Sequence, residues 1–119
     1  MRTICVVTAT RAEYGLLRPV VQKLAASSTL QLQLVATGAH LCLRLGETVR
    51  EIEADGVPIA ARLPIFVGDE NEPVAVTIAR TITVFDAYFS AHRPDAVLLL
   101  GDRFEIFAAA TAAAARHIP

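Results

Sequence analysis

The stretch Ala96-Val97-Leu98-Leu99-Leu100-Gly101-Asp102-Arg103 decides the fold, because its five leading residues are all apolar. Such a run predicts a strand that is buried on both faces of a sheet. A helical pattern begins directly after it at Phe104, so Asp102 and Arg103 stand at the carboxyl end of the strand. Ligands bind at this end of the strands in open α/β sheets, and the stretch therefore predicts a site as well as a strand.

The rest of the chain alternates short apolar runs with helical patterns. The predicted elements, in chain order, are a strand at 4–8, a helix at 16–24, a strand at 31–36, helices at 41–52 and 74–89, the strand at 96–100 and a helix at 104–116. Pro58 and Pro64 allow only a short or edge strand within residues 57–67. This alternation predicts an α/β fold, a Rossmann-like parallel sheet with helices on both faces.

Finer expectations concern three of the helices and the end of the chain. Pro19 is expected early in the first helix, where its missing N–H costs least. The second helix should carry Leu41, Leu45, Val49 and Ile52. The buried face of the long helix should consist of Val74, Ile78, Ile82, Phe85 and Phe89. Residues 117–119 resemble the approach to another strand, so we expect the domain to continue beyond them.

The composition limits the size and the partners of the domain. The 119 residues leave room for one small domain, 54% of them are hydrophobic, and the net charge is −1. A chain so nearly neutral has no field that attracts nucleic acid or a membrane surface, and neither is expected as a partner. Cys5 and Cys42 lack the spacing of metal ligands or of a disulfide framework. We expect reduced thiols, no metal and a cytoplasmic protein, since no targeting segment is visible.

Topology brings the candidate loops together. If the strand order is 3-2-1-4, it reverses between the first strand and the 96–100 strand, and a crevice opens between their carboxyl ends. The loops 8–15 and 101–103 meet there, and residues 37–40 lie beside them. This convergence is the reason for interpreting the three loops as one site.

The loop 8–15 lacks the signatures of the common nucleotide-binding loops. It has neither the close-packed glycines of a dinucleotide-binding turn nor the Gly-Lys-Ser/Thr of a P-loop. Arg11 stands at a helix start, where a guanidinium and free N–H groups together favour a phosphate. The alternative is that Arg11 pairs with Glu13 as a surface or capping residue, and the loop alone does not decide between them.

Asp102 and His40 each have two interpretations. In the first, Asp102 transfers a proton at the water-excluded carboxyl end of the strand, beside the cation of Arg103. In the second, Asp102 caps the following helix and Arg103 is solvated. His40 is either part of the site or a helix-start residue that is bonded to a nearby carbonyl.

Four motifs follow one another along nearly the whole chain. They are Thr10-Arg11-Ala12-Glu13-Tyr14-Gly15, Thr37-Gly38-Ala39-His40-Leu41, Glu51-Ile52-Glu53-Ala54-Asp55-Gly56 and Pro94-Asp95-Ala96-Val97-Leu98-Leu99-Leu100-Gly101-Asp102-Arg103. Together they resemble the hydrolysing UDP-N-acetylglucosamine 2-epimerases, most closely the sialic-acid branch. The resemblance implies a GT-B-type enzyme with two Rossmann-like domains. Residues 1–119 would form the front part of its N-terminal domain, without the nucleotide-binding C-terminal domain.

The resemblance also implies a reaction and a set of site residues. UDP-N-acetylglucosamine would be converted to N-acetylmannosamine and UDP, through elimination to a glycal and addition of water, without a cofactor. Asp102 matches the catalytic aspartate, and Arg11 matches an arginine at the diphosphate. Four other residues match substrate-binding or supporting positions: Glu13, His40, Arg103 and Glu105.

Other functions stay open beside this one. The chain could belong to a non-catalytic module that binds sugar nucleotides, or to a relative that acts on another UDP or GDP amino-sugar. A GT-B glycosyltransferase is disfavoured, because its acceptor chemistry does not require Gly101-Asp102-Arg103 in this loop. We expect the full-length protein to be a homodimer, with the 74–89 helix as a surface to inspect, and the 119 residues alone to be inactive.

Overall fold

A four-stranded parallel sheet forms the centre of the chain. The computed structural model describes residues 1–119, with the exception of the Arg44 side chain. The strands are β1 (Arg2–Thr8), β2 (Leu30–Thr37), β3 (Ala61–Leu63) and β4 (Ala96–Leu98), in the order β3-β2-β1-β4. The predicted order, with its reversal between the first strand and the 96–100 strand, is confirmed.

Helices cover both faces of the sheet. They are α1 (Arg11–Ala25), α2 (Val49–Ala54), α3 (Val74–Ala91) and α4 (Phe104–Ala115), and two 3-10 turns lie at Gly38–Leu41 and Leu43–Leu45. In β1, Val6 packs with the cluster that includes α1 and α2, whereas Cys5 and Val7 pack with the cluster of α3 and α4. Successive side chains of a strand point to opposite faces, so the uninterrupted apolar run of β1 is buried on both. The predicted Rossmann-like α/β fold is confirmed.

α1 begins earlier than its apolar pattern indicates. Thr10 caps the helix, and its Oγ1 accepts a hydrogen bond from the Glu13 N–H at 3.3 Å. The first turn therefore includes the polar residues that follow Thr10, and Pro19 lies in the middle of the helix. The position expected for Pro19 is wrong, because the cap and not the apolar periodicity sets where this helix begins.

The segment 41–52 is not one helix. It contains the last residue of the first 3-10 turn, the second turn and the start of α2, and Cys42 lies between the two turns. The prediction is wrong because Gly46, with a φ of 93°, and Glu47, with a φ of 44°, adopt left-handed conformations. Such residues interrupt a right-handed helix.

α3 buries only part of the face that its apolar residues predict: Phe85 and Phe89 are buried as predicted and Ile82 packs against the core, whereas Val74 is exposed. Four residues of this helix are buried: Thr77, Thr81, Phe85 and Phe89. The Thr81 hydroxyl donates to the Thr77 carbonyl at 2.7 Å, and the Thr77 hydroxyl donates to Glu72 Oε1 at 2.5 Å. Because both hydroxyls have hydrogen-bond partners, the two threonines can be buried in this core. Val74, which was expected on the buried face, is 56% exposed.

α3 packs along α4, where small side chains allow a close approach. Ala109, Ala112 and Ala113 share one buried cluster with Phe85 and Phe89. By length and composition alone α3 could cross a membrane. In this structure one face of α3 packs in the core of the domain.

β4 is shorter than the predicted strand 96–100. It pairs with β1 over Ala96–Leu98, and Leu98 and Leu100 remain more than a third exposed. At its other edge the Val97 N–H donates to the Pro119 carbonyl at 2.8 Å. The apolar run thus predicts the place of the strand, and the pairing stops at Leu98.

Candidate active site

The loops that follow β1, β2 and β4 come together at Gly38. Gly38 has a φ of 60°, and a Cβ added there would lie 3.2 Å from the Ala9 carbonyl oxygen and 3.2 Å from Glu105 Oε2. Both separations are tighter than ordinary van der Waals contact, and L-residues rarely adopt this φ. Glycine therefore allows the loop after β2 to pass close to the other two loops, as the predicted convergence requires.

Glu13 points inward from the first turn of α1 and is buried. Its Oε1 accepts a hydrogen bond from the Ala9 N–H at 2.7 Å. Its Oε2 faces the loop after β4, since a Cβ added at Gly101 would lie 3.9 Å from that oxygen. The suggested surface pair of Arg11 with Glu13 is wrong, because the Glu13 carboxylate is used to hold the backbone after β1.

Glu105 lies in the first turn of α4 and is fully buried. Its Oε2 accepts a hydrogen bond from Arg103 Nε at 3.2 Å. Its Oε1 is buried without a hydrogen-bond partner among the described side chains. A buried carboxylate oxygen without a partner is costly, and such groups are concentrated at functional sites.

The surroundings of Glu13 raise its pKa. Burial raises the pKa of Glu13, and the negative charge of Glu105 raises it further. The Ala9 N–H, the Thr8 hydroxyl and the Arg103 guanidinium oppose this shift in the pKa. Glu13 therefore holds a proton more readily than an exposed glutamate does.

His40 lies behind the three loops and is fully buried. Its Nε2 is 2.8 Å from Thr8 Oγ1, at the end of β1, and its Nδ1 is 2.8 Å from Thr48 Oγ1, just before α2. Burial lowers the pKa of His40 to about 4, so the ring is neutral at pH 7. Two threonine hydroxyls hold the ring, and a hydrogen bond to the Thr10 backbone opposes the fall in its pKa, so the bond to a nearby backbone group that the sequence suggested is present as well.

Asp102 and Arg103 stand at the mouth of the buried carboxylates, and both are exposed. α4 begins at Phe104, Arg103 occupies the capping position, and no side chain caps the helix. The interpretation of Asp102 as the helix cap is therefore wrong. Arg103 is anchored through its Nε by Glu105, and its guanidinium lies 5.9 Å from the centre of the Phe104 ring.

Arg11 lies apart from this cluster, at the first position of α1. Its Nε contacts Glu51 Oε1 on α2 at 2.9 Å, and its side chain is 71% exposed. An exposed ion pair of this kind contributes little to stability, so an incoming anion can displace Glu51. The structure thus brings Glu13, Arg103 and Glu105 together and leaves Arg11 beside α2.

Three residues of the site were given no individual role from the sequence: Thr8, Gly38 and Thr48. Thr8 and Gly38 nevertheless lie within the predicted site segments 8–15 and 37–40, because one ends β1 and the other directly follows β2. Thr48 gives no such signal, since it contacts His40 only through the turns that replace the expected helix.

A cavity of about 420 Å³ adjoins the site at Gly38. It lies between the turn after β2 and the segment after β3. Its walls include Leu41, Cys42, Ile65, Phe66 and Asp69. Nothing in the apolar periodicity predicted it, because two loops form its walls.

Comparison with protein families shows which one shares this sequence. The family model described as UDP-N-acetylglucosamine 2-epimerase matches residues 22–119. The chain belongs to the UDP-N-acetylglucosamine 2-epimerase family. The resemblance carried by the four motifs is confirmed at the level of the family.

Two curated relatives of this epimerase-family chain are named for a diacetamido sugar. The chain is 41% identical to the UDP-N,N'-diacetylbacillosamine 2-epimerase (hydrolyzing) of Legionella pneumophila, over 100% of its own length and 32% of the relative. It is 36% identical to the GDP/UDP-N,N'-diacetylbacillosamine 2-epimerase (hydrolyzing) of Campylobacter jejuni, over 99% of its length and 31% of the relative. The chain spans about a third of the length of the curated relatives it matches.

Solved epimerase structures share the fold. A crystal structure of UDP-N-acetylglucosamine 2-epimerase superimposes with a TM-score of 0.85 at 24% identity, over 98% of this chain and 31% of that one. The UDP-GlcNAc 2-epimerase from Neisseria meningitidis bound to UDP-GlcNAc gives a TM-score of 0.83 at 22% identity, over 98% and 30%. This likeness shows the fold of the N-terminal part of a GT-B-type epimerase.

Proposed function

We propose that this epimerase-family chain forms the N-terminal part of an enzyme that converts UDP-N-acetylglucosamine to N-acetylmannosamine and UDP. The proposal is carried by one observation: the loop with Asp102, Arg103 and Glu105 meets Glu13 where the strand order reverses between β1 and β4. Open α/β sheets bind their ligands at this position. Membership of the family supports the class of reaction.

Loss of UDP comes first in the proposed reaction, because the proton on C2 is too weakly acidic to be removed before the bond between C1 and UDP breaks. The bond between C1 and the diphosphate oxygen breaks, and UDP departs with the bonding electrons. A base removes the C2 proton, and the C1–C2 double bond of a glycal forms. Water then supplies a hydroxyl to C1, and a proton returns to C2 from the opposite face.

Asp102 is the residue that we assign to the reacting atoms. Asp102 is exposed between Gly101, which faces Glu13 Oε2, and Arg103, which is bonded to Glu105, and from this loop its carboxylate can stabilise positive charge at C1 and carry a proton. Arg103 stands beside it, and since only its Nε is bonded to Glu105, its other N–H groups can face the departing diphosphate. Arg11 offers a second guanidinium, at the N-terminus of α1.

Supporting roles are assigned to the buried residues Glu13, Glu105 and His40. Glu105 orients Arg103, and Glu13 fixes the loop after β1 while its raised pKa allows it to hold a proton beside Gly101, the residue that precedes Asp102. His40 joins the end of β1 to the start of α2 through its two threonines. Because these three side chains are buried, we assign them to the shape and charge of the site.

The complete enzyme is proposed to need more than these 119 residues. Since the chain spans about a third of its relatives, the nucleotide-binding domain and further proton-carrying groups are expected in the remaining two thirds. The proposed partner is a UDP-sugar, and the solved Neisseria meningitidis epimerase, which shares this fold, is bound to UDP-GlcNAc. The 119 residues alone should show no turnover and at best weak binding of phosphate. A homodimeric, cytoplasmic complete protein is part of the proposal.

A second candidate substrate is a UDP- or GDP-linked N,N'-diacetylbacillosamine. The names of the relatives at 41% and 36% identity favour it. This sugar carries an acetamido group on C4 and a methyl group in place of the hydroxymethyl of N-acetylglucosamine. The chemistry at C1 and C2 is the same for both sugars, so the roles given to Asp102 and Arg103 apply to either.

The proposed reaction is tested in the complete polypeptide that carries this sequence. Incubation with UDP-N-acetylglucosamine in deuterated water should release UDP and N-acetylmannosamine with deuterium at C2. The Asp102→Asn variant should lose turnover while it still binds UDP. Asp95→Asn is the matched control, because Asp95 is an exposed aspartate at the amino end of β4, where it accepts a hydrogen bond from the Thr3 N–H.

Two outcomes would contradict the proposal. Release of UDP without deuterium at C2 would indicate a transferase or a simple hydrolase. Unchanged turnover in Asp102→Asn, with Asp95→Asn behaving alike, would remove Asp102 from the reacting atoms.

A further inference from the structure

The cavity beside Gly38 is of a size suited to a small ligand group. Its volume of about 420 Å³ lies within the range of ligand pockets in proteins. One wall is the turn after β2, with Leu41 and Cys42, and the other is the segment after β3, with Ile65, Phe66 and Asp69. None of these residues has a role in the reaction proposed above.

The cavity opens next to the buried carboxylates. Gly38 lines the cavity, and it is also the residue whose added Cβ would lie 3.2 Å from Glu105 Oε2. Phe66, on the far wall, packs edge-on against Phe104 with 6.3 Å between ring centres. Phe104 follows Arg103 directly, so a sugar ring held at the Asp102–Arg103 loop has the cavity beside it.

The far wall is held in place before any ligand binds. Arg80 Nη1 donates to the Ile65 carbonyl at 3.0 Å, and the same guanidinium forms two bonds to Glu72, at 2.7 and 2.8 Å. Arg80 and Thr77 lower the pKa of Glu72 to about 2, so this pair stays ionised at neutral pH. The Thr37 hydroxyl also donates to the Leu63 carbonyl at 2.5 Å, which ties the end of β2 to the end of β3.

The lining selects the kind of group that can enter. Leu41, Ile65 and Phe66 offer an apolar surface, which favours methyl groups over hydroxyl groups. Asp69 also lines the cavity, and the negative charge of its carboxylate opposes a diphosphate. The sugar end of a nucleotide sugar fits this lining, and its nucleotide end does not.

We infer that this cavity binds the substituents on C4 and C6 of the substrate sugar, and that it accepts an acylamino group and a methyl group there. The inference rests on the proposed reaction with its second candidate substrate, the diacetamido sugar, since it requires C1 and C2 of that ring to lie at Asp102. It makes the cavity the element that distinguishes a diacetamido sugar from N-acetylglucosamine.

Filling the cavity tests this inference in the complete polypeptide. Cys42→Phe adds a ring to the cavity wall, at a position with an extended backbone that tolerates a large side chain. We expect it to lower kcat/KM for UDP-N,N'-diacetylbacillosamine by about ten-fold or more, and kcat/KM for UDP-N-acetylglucosamine by clearly less. Leu43→Phe is the matched control, because Leu43 is the next residue, is 79% exposed and does not line the cavity.

The outcomes separate this inference from the proposed function. Activity on both sugars, with a ratio of kcat/KM values that Cys42→Phe leaves unchanged, would overturn the cavity assignment and retain the epimerase. A preference of the unmodified enzyme for UDP-N-acetylglucosamine would overturn it as well. Absence of 2-epimerase activity on either sugar would instead contradict the proposed function.

Labelling of the unmodified sequence provides a second measurement if Cys42→Phe does not fold. N-ethylmaleimide should modify the partly exposed Cys42, and the fully buried Cys5 serves as the internal control. Excess UDP-N,N'-diacetylbacillosamine should slow modification of Cys42, and UDP alone should not, as followed by mass spectrometry of the two peptides. Equal modification rates with the sugar nucleotide and with UDP would contradict the inference.

Discussion

At the scale of single residues, His40 gives the domain a defined dependence on pH. Burial lowers its pKa to about 4 in the folded chain, against about 6.5 in an unfolded chain. Between these values the unfolded state binds more protons than the folded state does, so stability falls as the pH falls through this window. The shift corresponds to about 3 kcal/mol of unfolding free energy, which is fully present above pH 6.5 and lost towards pH 4.

Replacing His40 should remove this dependence. We expect the His40→Gln variant of the chain to be less stable than the unmodified chain at pH 7, and the difference to shrink as the pH is lowered to 4.5. Urea denaturation at several pH values measures it. His117→Asn is the control, because His117 is exposed and lies outside the buried cluster that holds His40. A difference in unfolding free energy between His40→Gln and the unmodified chain that does not change with pH would show that His40 is not held as a neutral ring in the folded chain.

At the scale of an element, the turn after β2 depends on the absence of a side chain at Gly38. Gly38→Ala would place a methyl group against the Ala9 carbonyl and Glu105 Oε2 in a left-handed conformation. Gly46→Ala is a matched control, since Gly46 also has a positive φ but nothing lies within 4 Å of its added Cβ. We expect Gly46→Ala to lower the unfolding free energy by about 1 kcal/mol and Gly38→Ala by about 2 kcal/mol or more, as measured in urea. Equal losses of unfolding free energy in the two variants would show that the atoms around Gly38 move away from the added methyl group without an energetic cost.

The helices and strands could be predicted where the pattern of apolar residues agrees with the packing of the folded chain, and could not be predicted elsewhere. The order of strands and the helix after Phe104 follow from apolar runs and from the rules for βαβ units. The prediction of a helix at 41–52 is wrong because Gly46 and Glu47 adopt left-handed conformations that interrupt it. The spacing of apolar residues does not indicate where the backbone has a positive φ. In the site, the convergence of the loops, with Thr8 among them, was predictable from topology, whereas Thr48 was not, because only the turns that replace the expected helix bring it to His40.

At the scale of the whole molecule, α3 is the surface that we assign to the proposed homodimer. Its inner face is buried in the core, and its first turn exposes Val74 and Val76, at 56% and 48%. In a dimer with twofold symmetry each residue is buried twice, and burying a valine side chain contributes about 1.5 kcal/mol or more. Val76→Asp should therefore raise the dimer dissociation constant of the complete polypeptide at least about ten-fold, as measured by sedimentation velocity.

Val20→Asp introduces the same charge at a 42% exposed valine of α1 and should leave the dimer intact. Equal weakening by both variants would move the interface away from α3, and a monomer without either substitution would contradict the homodimer itself.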